Sequence, residues 1–443
     1  MRNDLIIGLD IGSSFVRAVA GRQNNSGKLE IIASGKANTT GHILQGEIVN
    51  INKTSLAISE AIKKISGALD GKNTNYYFSS NLSGSHINVQ PYTSTKIRKN
   101  PREAVSVQEI QALIEDAKKP ILEKNPILLH TLPIGFKVDN LPTTNDPVGQ
   151  VGQKIQAELM IITANPDKYG LLVQCLLAAE SEHIKKGNVY FSPVAASTAV
   201  LSSEEKEEGV ILVDIGSGTT EISMYQNRGL VKSLVLNWGG DRLTEDIRIG
   251  LNVSYENAEA LKTTFGSAIS KLIDINEVVM IPGIAGRKPT PVSVKNLAII
   301  LEERLKELAA KIIAEVSQVG DPQSFKSGIV LCGGGAQLPD IAELFQKVTD
   351  LECRVGVPMV VQNSQVSEEI LDPSYATAIG LIQVYYEQLN EAILSEEAEA
   401  TTIISQTGAE INQGNNKDKP GIKKIFTRVV DVLMGSNEAE GEY

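Results

Sequence analysis

The chain has 443 residues, a formal charge of -11 and a sequence pI near 5.1, which allows roughly two to four domains with real apolar cores. The acidic balance, with one Trp and eight Phe, argues against a nucleic-acid backbone partner and against base-stacking platforms. Three cysteines, Cys175, Cys332 and Cys353, lie far apart without a CxxC pair, so neither a disulfide framework nor a zinc site is expected, as suits a reducing cytoplasm.

At the N-terminus, "MRNDLIIGLDIG" does not read as a signal peptide, because Asp10 interrupts the apolar run. No stretch approaches ~18 uncharged apolar residues, so no spanning helix is expected. "LIIGLDIGSSFVRAVAG", from residue 5, is an apolar run, a glycine-containing turn and a second apolar run, which predicts a hairpin. "TSLAISEAIKKISGAL" (54–69) has helical apolar spacing. Residues 85–158 read as a small inserted α/β unit: strand-like "SHINVQ" and "ILLHTLPIGFKV" flank a helix, "VSVQEIQALIEDAKKPILEK". "KYGLLVQCLLAAESE" (168–182) predicts a more buried helix. "GVILVDIGSGTTEISMY", from 209, repeats the first hairpin, and residues 243–300 form a second insertion after it. "KNLAIILEERLKELAAKIIAEVSQ" (295–318) predicts a long helix with Glu302–Lys306 and Glu307–Lys311 pairs on a solvated face. From 328, "GIVLCGGGAQLPDI" takes a strand into glycines and then a helix, "LPDIAELFQKV". The polar stretch 393–419 has the composition of a disordered linker. Duplicated hairpins in a strand–helix rhythm imply two similar α/β halves with a cleft between them.

The chemistry lies in the two turns. Phosphate binding needs convergent backbone N–H groups, close approach at glycine and hydroxyl donors. Gly12, Ser13 and Ser14 supply these in the first turn; Gly216, Ser217, Gly218, Thr219 and Thr220 supply them in the second. Asp10 and Asp214 close the preceding strands in register. A carboxylate beside a polyphosphate needs an intervening cation, so both aspartates are expected to hold hydrated Mg²⁺ and to orient an attacking water. A single such turn would be read as a capped turn; a pair in register favours the phosphate reading. The P-loop, GxGxxG, HExxH and GxSxG patterns are absent. His86, His130 and His183 lack partner spacing and are expected to be structural.

With both hairpins and the glycine cluster in view, the chain resembles the actin/Hsp70/hexokinase ATPase superfamily. "LDIGSS" and "VDIGSGTTE" are similar to its phosphate motifs, "SPVAASTAVL" (192–201) and "DPSYATAIGLI" (372–382) to its connecting helices, and "CGGGAQLPDI" to its adenosine motif. The resemblance implies an actin-like α/β fold, with two duplicated ribonuclease-H-like domains around a nucleotide cleft. Within the superfamily the chain resembles the FtsA family of bacterial cell-division proteins. "NWGGDRLTEDIRIGL" and "ENAEALKTTFGSA" look like that family's nucleotide-facing segment. The resemblance places Gly239, Gly240 and Asp241 near ATP, Glu259 and Lys262 at the ribose, and Gly333, Gly334, Gly335, Ala336 and Leu338 at the adenosine. An exposed helical pair is the alternative for Glu259 and Lys262. The implied division is subdomain IA at 1–84 with 159–207 and 374–392, an inserted 1C at 85–158, IIA at 208–242 with 301–373, and IIB at 243–300.

Two positions depart from the pattern. Phe15 follows the first turn where a polar residue is common, so that wall is expected to make fewer phosphate contacts. Ser192 stands where MreB-like proteins carry a water-activating Glu, and a serine is a poor base without an activating partner. ATP is therefore expected to bind and to be hydrolysed slowly or negligibly.

The segment "KDKPGIKKIFTRVVDVLMG" (417–435) carries five basic and two acidic residues. Written as a helix over 420–435, Ile422, Ile425, Phe426, Val429, Val430 and Leu433 form one apolar face, with Lys423, Lys424 and Arg428 opposite. Such a helix lies in a membrane surface with its cations on anionic lipid, and several copies, as in a filament, would make attachment firm. Docking on the protein's own core is the alternative. The resemblance then implies a peripheral protein on the cytoplasmic face of the inner membrane at the septum. It would polymerise, bind the C-terminal peptide of the tubulin-like FtsZ and recruit later divisome proteins. The rivals are a pilus-assembly ATPase of the same superfamily, an Hsp70 and a sugar kinase.

Overall fold

The computed structural model describes residues 5–24, 27–69, 76–123, 125–179, 184–282, 288–360 and 368–390. The expected linker at 393–419, the expected membrane helix with Ile422 to Leu433, and His183 lie outside the described residues.

In chain order, β1 (Leu5–Ile11), β2 (Phe15–Gln23) and β3 (Leu29–Asn38) form a meander. A short hairpin follows, β4 (Ile43–Leu44) and β5 (Glu47–Ile48), then α1 (Ile51–Ser66) and β6 (Tyr76–Leu82). The insertion contains β7 (Asn88–Ile97), α2 (Val107–Leu122), β8 (Ile127–Val138) and β9 (Lys154–Ala164). The chain returns through α3 (Pro166–Ala179), β10 (Ile184–Phe191), α4 (Ser192–Val200) and α5 (Ser203–Glu208). The second half opens with the meander β11 (Val210–Ile215), β12 (Thr220–Gln226) and β13 (Gly229–Leu236). It continues with α6 (Gly240–Leu251), α7 (Tyr255–Phe265), β14 (Val278–Ile281), β15 (Thr290–Ser293), α8 (Val294–Ser317), β16 (Ile329–Cys332), α9 (Ile341–Thr349) and β17 (Cys353–Val355). A last helix covers 376–390.

The two principal sheets have the same plan. The first runs β10-β6-β1-β2-β3, the second β17-β16-β11-β12-β13. In each, an antiparallel meander is extended by two parallel strands. This is the duplicated, ribonuclease-H-like arrangement of an actin-like fold. β1 and β11 are buried almost throughout, because each is a central strand with both faces covered.

Helix α4 and the helix over 376–390 join the halves through one apolar cluster, which contains Ile6 and Val19 of the first sheet and Val210 and Leu212 of the second. Small residues let these elements touch backbone to backbone. A Cβ at Gly380 would lie 1.8 Å from the Ala195 carbonyl oxygen, and one at Gly8 would lie 2.0 Å from that of Ala378. Neither position can accept a side chain without moving a helix.

The inserted unit is a three-stranded antiparallel sheet, order β7-β9-β8, backed by α2. Ser106 and Glu109 form a reciprocal capping box at the start of α2. The long helix α8 departs from expectation. Glu302 pairs with Lys306 at 2.8 Å but is nearly buried and also accepts the Ser270 N–H. Glu307 pairs with Arg304 at 2.7 Å rather than with Lys311, whose ammonium lies 5.3 Å from the Trp238 ring centre. Packing of α8 beside Trp238 thus overrides helix-face spacing.

Candidate functional site

The two Asp-Ile-Gly-Ser turns face each other across a cavity of about 350 Å³, within the size range of ligand pockets. Each turn is pinned in the same way. The Gly12 N–H donates to the Phe15 carbonyl at 3.0 Å, and the Gly216 N–H to that of Thr219 at 2.9 Å. The turn carbonyls are held from outside. Thr39 bonds those of Gly12 and Ser14, while Gly240 and Asp241 N–H groups bond those of Gly216 and Ser217. Ser14, Ser217 and Thr219 lie at the cavity, whereas the Ser13 hydroxyl accepts the Gly46 N–H at 3.3 Å.

Asp10 and Asp214 end their strands at the cavity floor. The Asn81 side-chain amide donates to Asp10 at 2.9 Å and to the Ser192 hydroxyl at 3.0 Å, and its oxygen accepts the Ile11 N–H at 2.7 Å. Burial pushes the Asp10 carboxyl up to about 6, against the pull of the Arg17 guanidinium 3.8 Å away. Burial also raises Asp214, opposed by the Thr377 hydroxyl at 3.3 Å. Gly333 has φ +81, and a Cβ there would lie 2.1 Å from an Asp214 carboxylate oxygen, so the adenosine-type motif requires glycine at this point.

Arg17, Asn81 and Glu221 are among the lining residues that the sequence motifs do not mark as site residues. The ladder pairs Asp10 with Arg17 and Asp214 with Glu221. Cross-strand partners share a face, so the repeat itself points to both residues. The Arg17 guanidinium lies over the rings of Phe15 (5.5 Å) and Tyr375 (5.4 Å), and among the described residues its buried Nε has no partner. Glu221 is buried; one oxygen accepts from Ser83, and the other has no partner among the described residues. Burial first, and then the neighbouring Asp214, hold its carboxyl well above the usual range.

At the other end, the Lys262 ammonium reaches the Gly240 carbonyl (3.1 Å), the Thr244 hydroxyl and Glu259 (both 2.7 Å). Glu259 and Lys262 line the cavity with Leu243, Leu338 and Pro339, so they are not a free helical pair. Ser13, Ser14, Ser217, Gly218, Thr219, Gly334 and Gly335 also line it. Thr220, Gly239, Asp241 and Ala336 stand behind the wall instead. The Thr220 hydroxyl donates to the Trp238 carbonyl at 2.6 Å, and Asp241 accepts the Tyr255 hydroxyl at 3.3 Å. Phe15 lines the first wall beside Arg17, so the apolar ring there stacks on a cation. His130 is structural: it accepts the Phe191 N–H at 2.9 Å, and burial lowers it to about 4.

The donor set is anion-seeking at the turns and mixed apolar and polar at the far end. Among the described residues, the Ser217 hydroxyl and Arg17 Nε are buried polar atoms without a hydrogen-bond partner. Among the described residues no group of three or more His, Cys, Asp or Glu could hold a metal ion.

Fold and cavity define an actin-like protein. Among solved structures, the chain is similar to a type IV pilus PilM–PilN complex (TM-score 0.59, 18% identity, covering 85% of this chain and 97% of that one). It is also similar to Spiroplasma citri MreB5 bound to AMPPNP (TM-score 0.50, 15% identity, 89% and 100%). These likenesses concern the fold alone. The family model "Cell division protein FtsA" matches residues 211–380, and "SHS2 domain inserted in FTSA" matches 84–163. Curated relatives include the cell division protein FtsA of Borreliella burgdorferi, 31% identical over 88% of this chain and 92% of that one. The FtsA of Escherichia coli K12 is 29% identical over 85% and 89%. The chain belongs to the FtsA family: it is an actin-like cell division protein, and the pilus, chaperone and kinase rivals fall away.

Proposed function

We propose that this protein binds ATP with Mg²⁺ in the cleft and, as a polymer on the cytoplasmic membrane, ties FtsZ filaments to that surface. The observation that carries the nucleotide reading is the pair of identically pinned turns facing one cavity. Ser13, Ser14, Ser217, Gly218 and Thr219 would hold phosphate oxygens, with Arg17 as counter-charge. Asp10 and Asp214 would hold Mg²⁺ through water, and the cation would screen the phosphates. Glu259 and Lys262 would take the ribose, and Gly334, Gly335 and Leu338 the base. Nucleotide acts chiefly by favouring one arrangement of the halves. Slow hydrolysis is expected: the Ser192 hydroxyl is held by Asn81, an amide that cannot act as a base.

Attachment is assigned to the amphipathic segment 420–435, acting in many copies along a filament. Among the described residues no helix is long and apolar enough to cross a membrane. The FtsZ tail is assigned to the 243–300 region, where Leu272, Ile275, Val278 and Met280 are exposed together in sequence. Later divisome proteins would bind elsewhere on the same polymer.

The test is co-sedimentation with anionic liposomes of the intact chain and of one ending near residue 415, with and without ATP and FtsZ. The intact chain should carry FtsZ down and the shortened one should not. Equal recovery of FtsZ by both would sink the adaptor reading. Steady-state phosphate release well above about one per second would sink the slow-hydrolysis reading.

A further inference from the structure

The inserted unit is continuous in sequence with the first half, yet it also rests on the second. β12 and β13 form a hairpin whose tip, Asn227–Arg228, has φ 48 and 66. Two consecutive left-handed residues make the tight turn that suits the twist of paired strands. At its open end β12 follows Thr219 and carries Glu221, and β13 leads on to Gly240, and these three residues line one cavity wall. The tip touches the insertion: the Asn145 amide donates to the Asn227 carbonyl at 3.2 Å. At Gly229 the backbones meet, and a Cβ would lie 3.0 Å from Ile134 Cα. Leu132 and Ile134 of β8 join Leu230 and Val235 of β13 in one apolar cluster. At the cavity end, Ser83, the last residue before the insertion, donates its hydroxyl to Glu221.

We propose that nucleotide in the cleft sets the seat of the inserted unit through the β12–β13 hairpin, and that a partner gripping this unit changes nucleotide affinity in return. The hairpin is stiff: β12 is hydrogen-bonded to β11 on one side and β13 on the other. A backbone-to-backbone contact such as Gly229 against Ile134 cannot absorb a shift by turning a side chain. The insertion is also fixed to the first half, where His130 of β8 accepts the Phe191 N–H. It is therefore clamped between the halves, and a change in the angle between them must be taken up at a seam. The seam on the second half combines the Asn145–Asn227 hydrogen bond, the Gly229 backbone contact and the packing of Leu132 and Ile134 on Leu230 and Val235, so a change in that angle is passed to the inserted unit there. Linkage makes the effect reciprocal. The proposal rests on the reading that the cleft binds ATP.

The experiment uses the intact chain with ATP and Mg²⁺. Hydrogen exchange is followed with and without nucleotide, and ATP affinity is measured for wild type, Gly229→Ala, Asn145→Ala and Leu113→Val. Leu113 lies in the insertion's own core and serves as a control for stability alone. Nucleotide should change exchange at 130–136 and 229–236 by about threefold or more. Gly229→Ala should shift the ATP Kd by about threefold or more, Asn145→Ala less, and Leu113→Val by under about twofold. If wild type binds ATP but seam exchange ignores it, the coupling is wrong while the nucleotide reading stands. The same holds if Gly229→Ala and Leu113→Val bind alike. If wild type binds no ATP, both fall.

Discussion

The two phosphate-type hairpins share their fold and differ in one decisive charge. Both pin the turn through a glycine N–H, and both set an Asp at the strand end opposite a residue on the returning strand. In the first hairpin that residue is Arg17, lying over two aromatic rings. In the second it is Glu221, buried beside Asp214 and bonded to Ser83. Duplication supplies matched geometry, and divergence at one register position supplies polarity. An anion entering the cleft finds its counter-charge on the first wall and only hydroxyls, amides and a raised carboxyl on the second.

The largest expected effect comes from the buried acids. Asp10 has its folded value raised from 3.8 to about 6, so folding disfavours its charged form. For a raised group the stability contribution is complete below the unfolded value and is lost as pH rises through the folded one. The nucleotide-free protein should therefore weaken between about pH 4 and pH 7, by up to about 3 kcal/mol from Asp10 alone. Asp10→Asn should recover that stability at pH 8 and little of it at pH 4.5, as read from urea melts, while Mg²⁺-dependent ATP binding is lost. A pH-independent gain would show that burial of charge is not the cause.

Next comes the cation. Arg17→Gln should weaken ATP binding by about 100-fold, and Lys should restore only part, because a point charge does not stack as a guanidinium does. Isothermal titration decides this. Binding unchanged within about threefold would mean that the first wall does not owe its anion preference to Arg17.

Much of this contrast was legible in the sequence. The duplicated turns, the glycine cluster and the insertion all announce themselves through apolar runs broken by Gly, Ser and Asp. Arg17 and Glu221 were equally available, each seven places after its aspartate, once the hairpins were laid in register. What local patterns did not show was long-range placement. Asn81 reaches Asp10 and Ser192 from a strand that carries no motif. Thr220 and Asp241 sit inside motif sequences yet turn away from the cavity, because their polar groups are used by Trp238 and Tyr255. Lys311 left its helix-face partner for the Trp238 ring, a contact set by packing between elements.

The second wall offers a finer test. Because Glu221 is held well above its usual range by burial and Asp214, it gains charge at a higher pH than an ordinary carboxylate does. ATP affinity should then fall as rising pH ionises this carboxyl, by roughly fivefold for about 1 kcal/mol of new repulsion. Glu221→Gln should flatten that curve while leaving affinity at lower pH unchanged. A wild-type curve that is already flat would place the triphosphate away from this wall.

The smallest effect separates the hydroxyls of the two turns. Ser14 faces the cavity, whereas the Thr220 hydroxyl is spent inside, on the Trp238 carbonyl at 2.6 Å. Ser14→Ala should therefore cost affinity and little stability. Thr220→Val keeps the shape and leaves a buried carbonyl without its donor, costing about 1 kcal/mol of stability. Trp238 is the only tryptophan in the chain and directly precedes the Gly239–Gly240 step that holds the second turn. Its emission should shift in Thr220→Val even without nucleotide, and should stay as in wild type in Ser14→Ala. The same emission shift in both variants would mean that the two hydroxyls do the same work, and the division between an open first wall and a braced second one would fail.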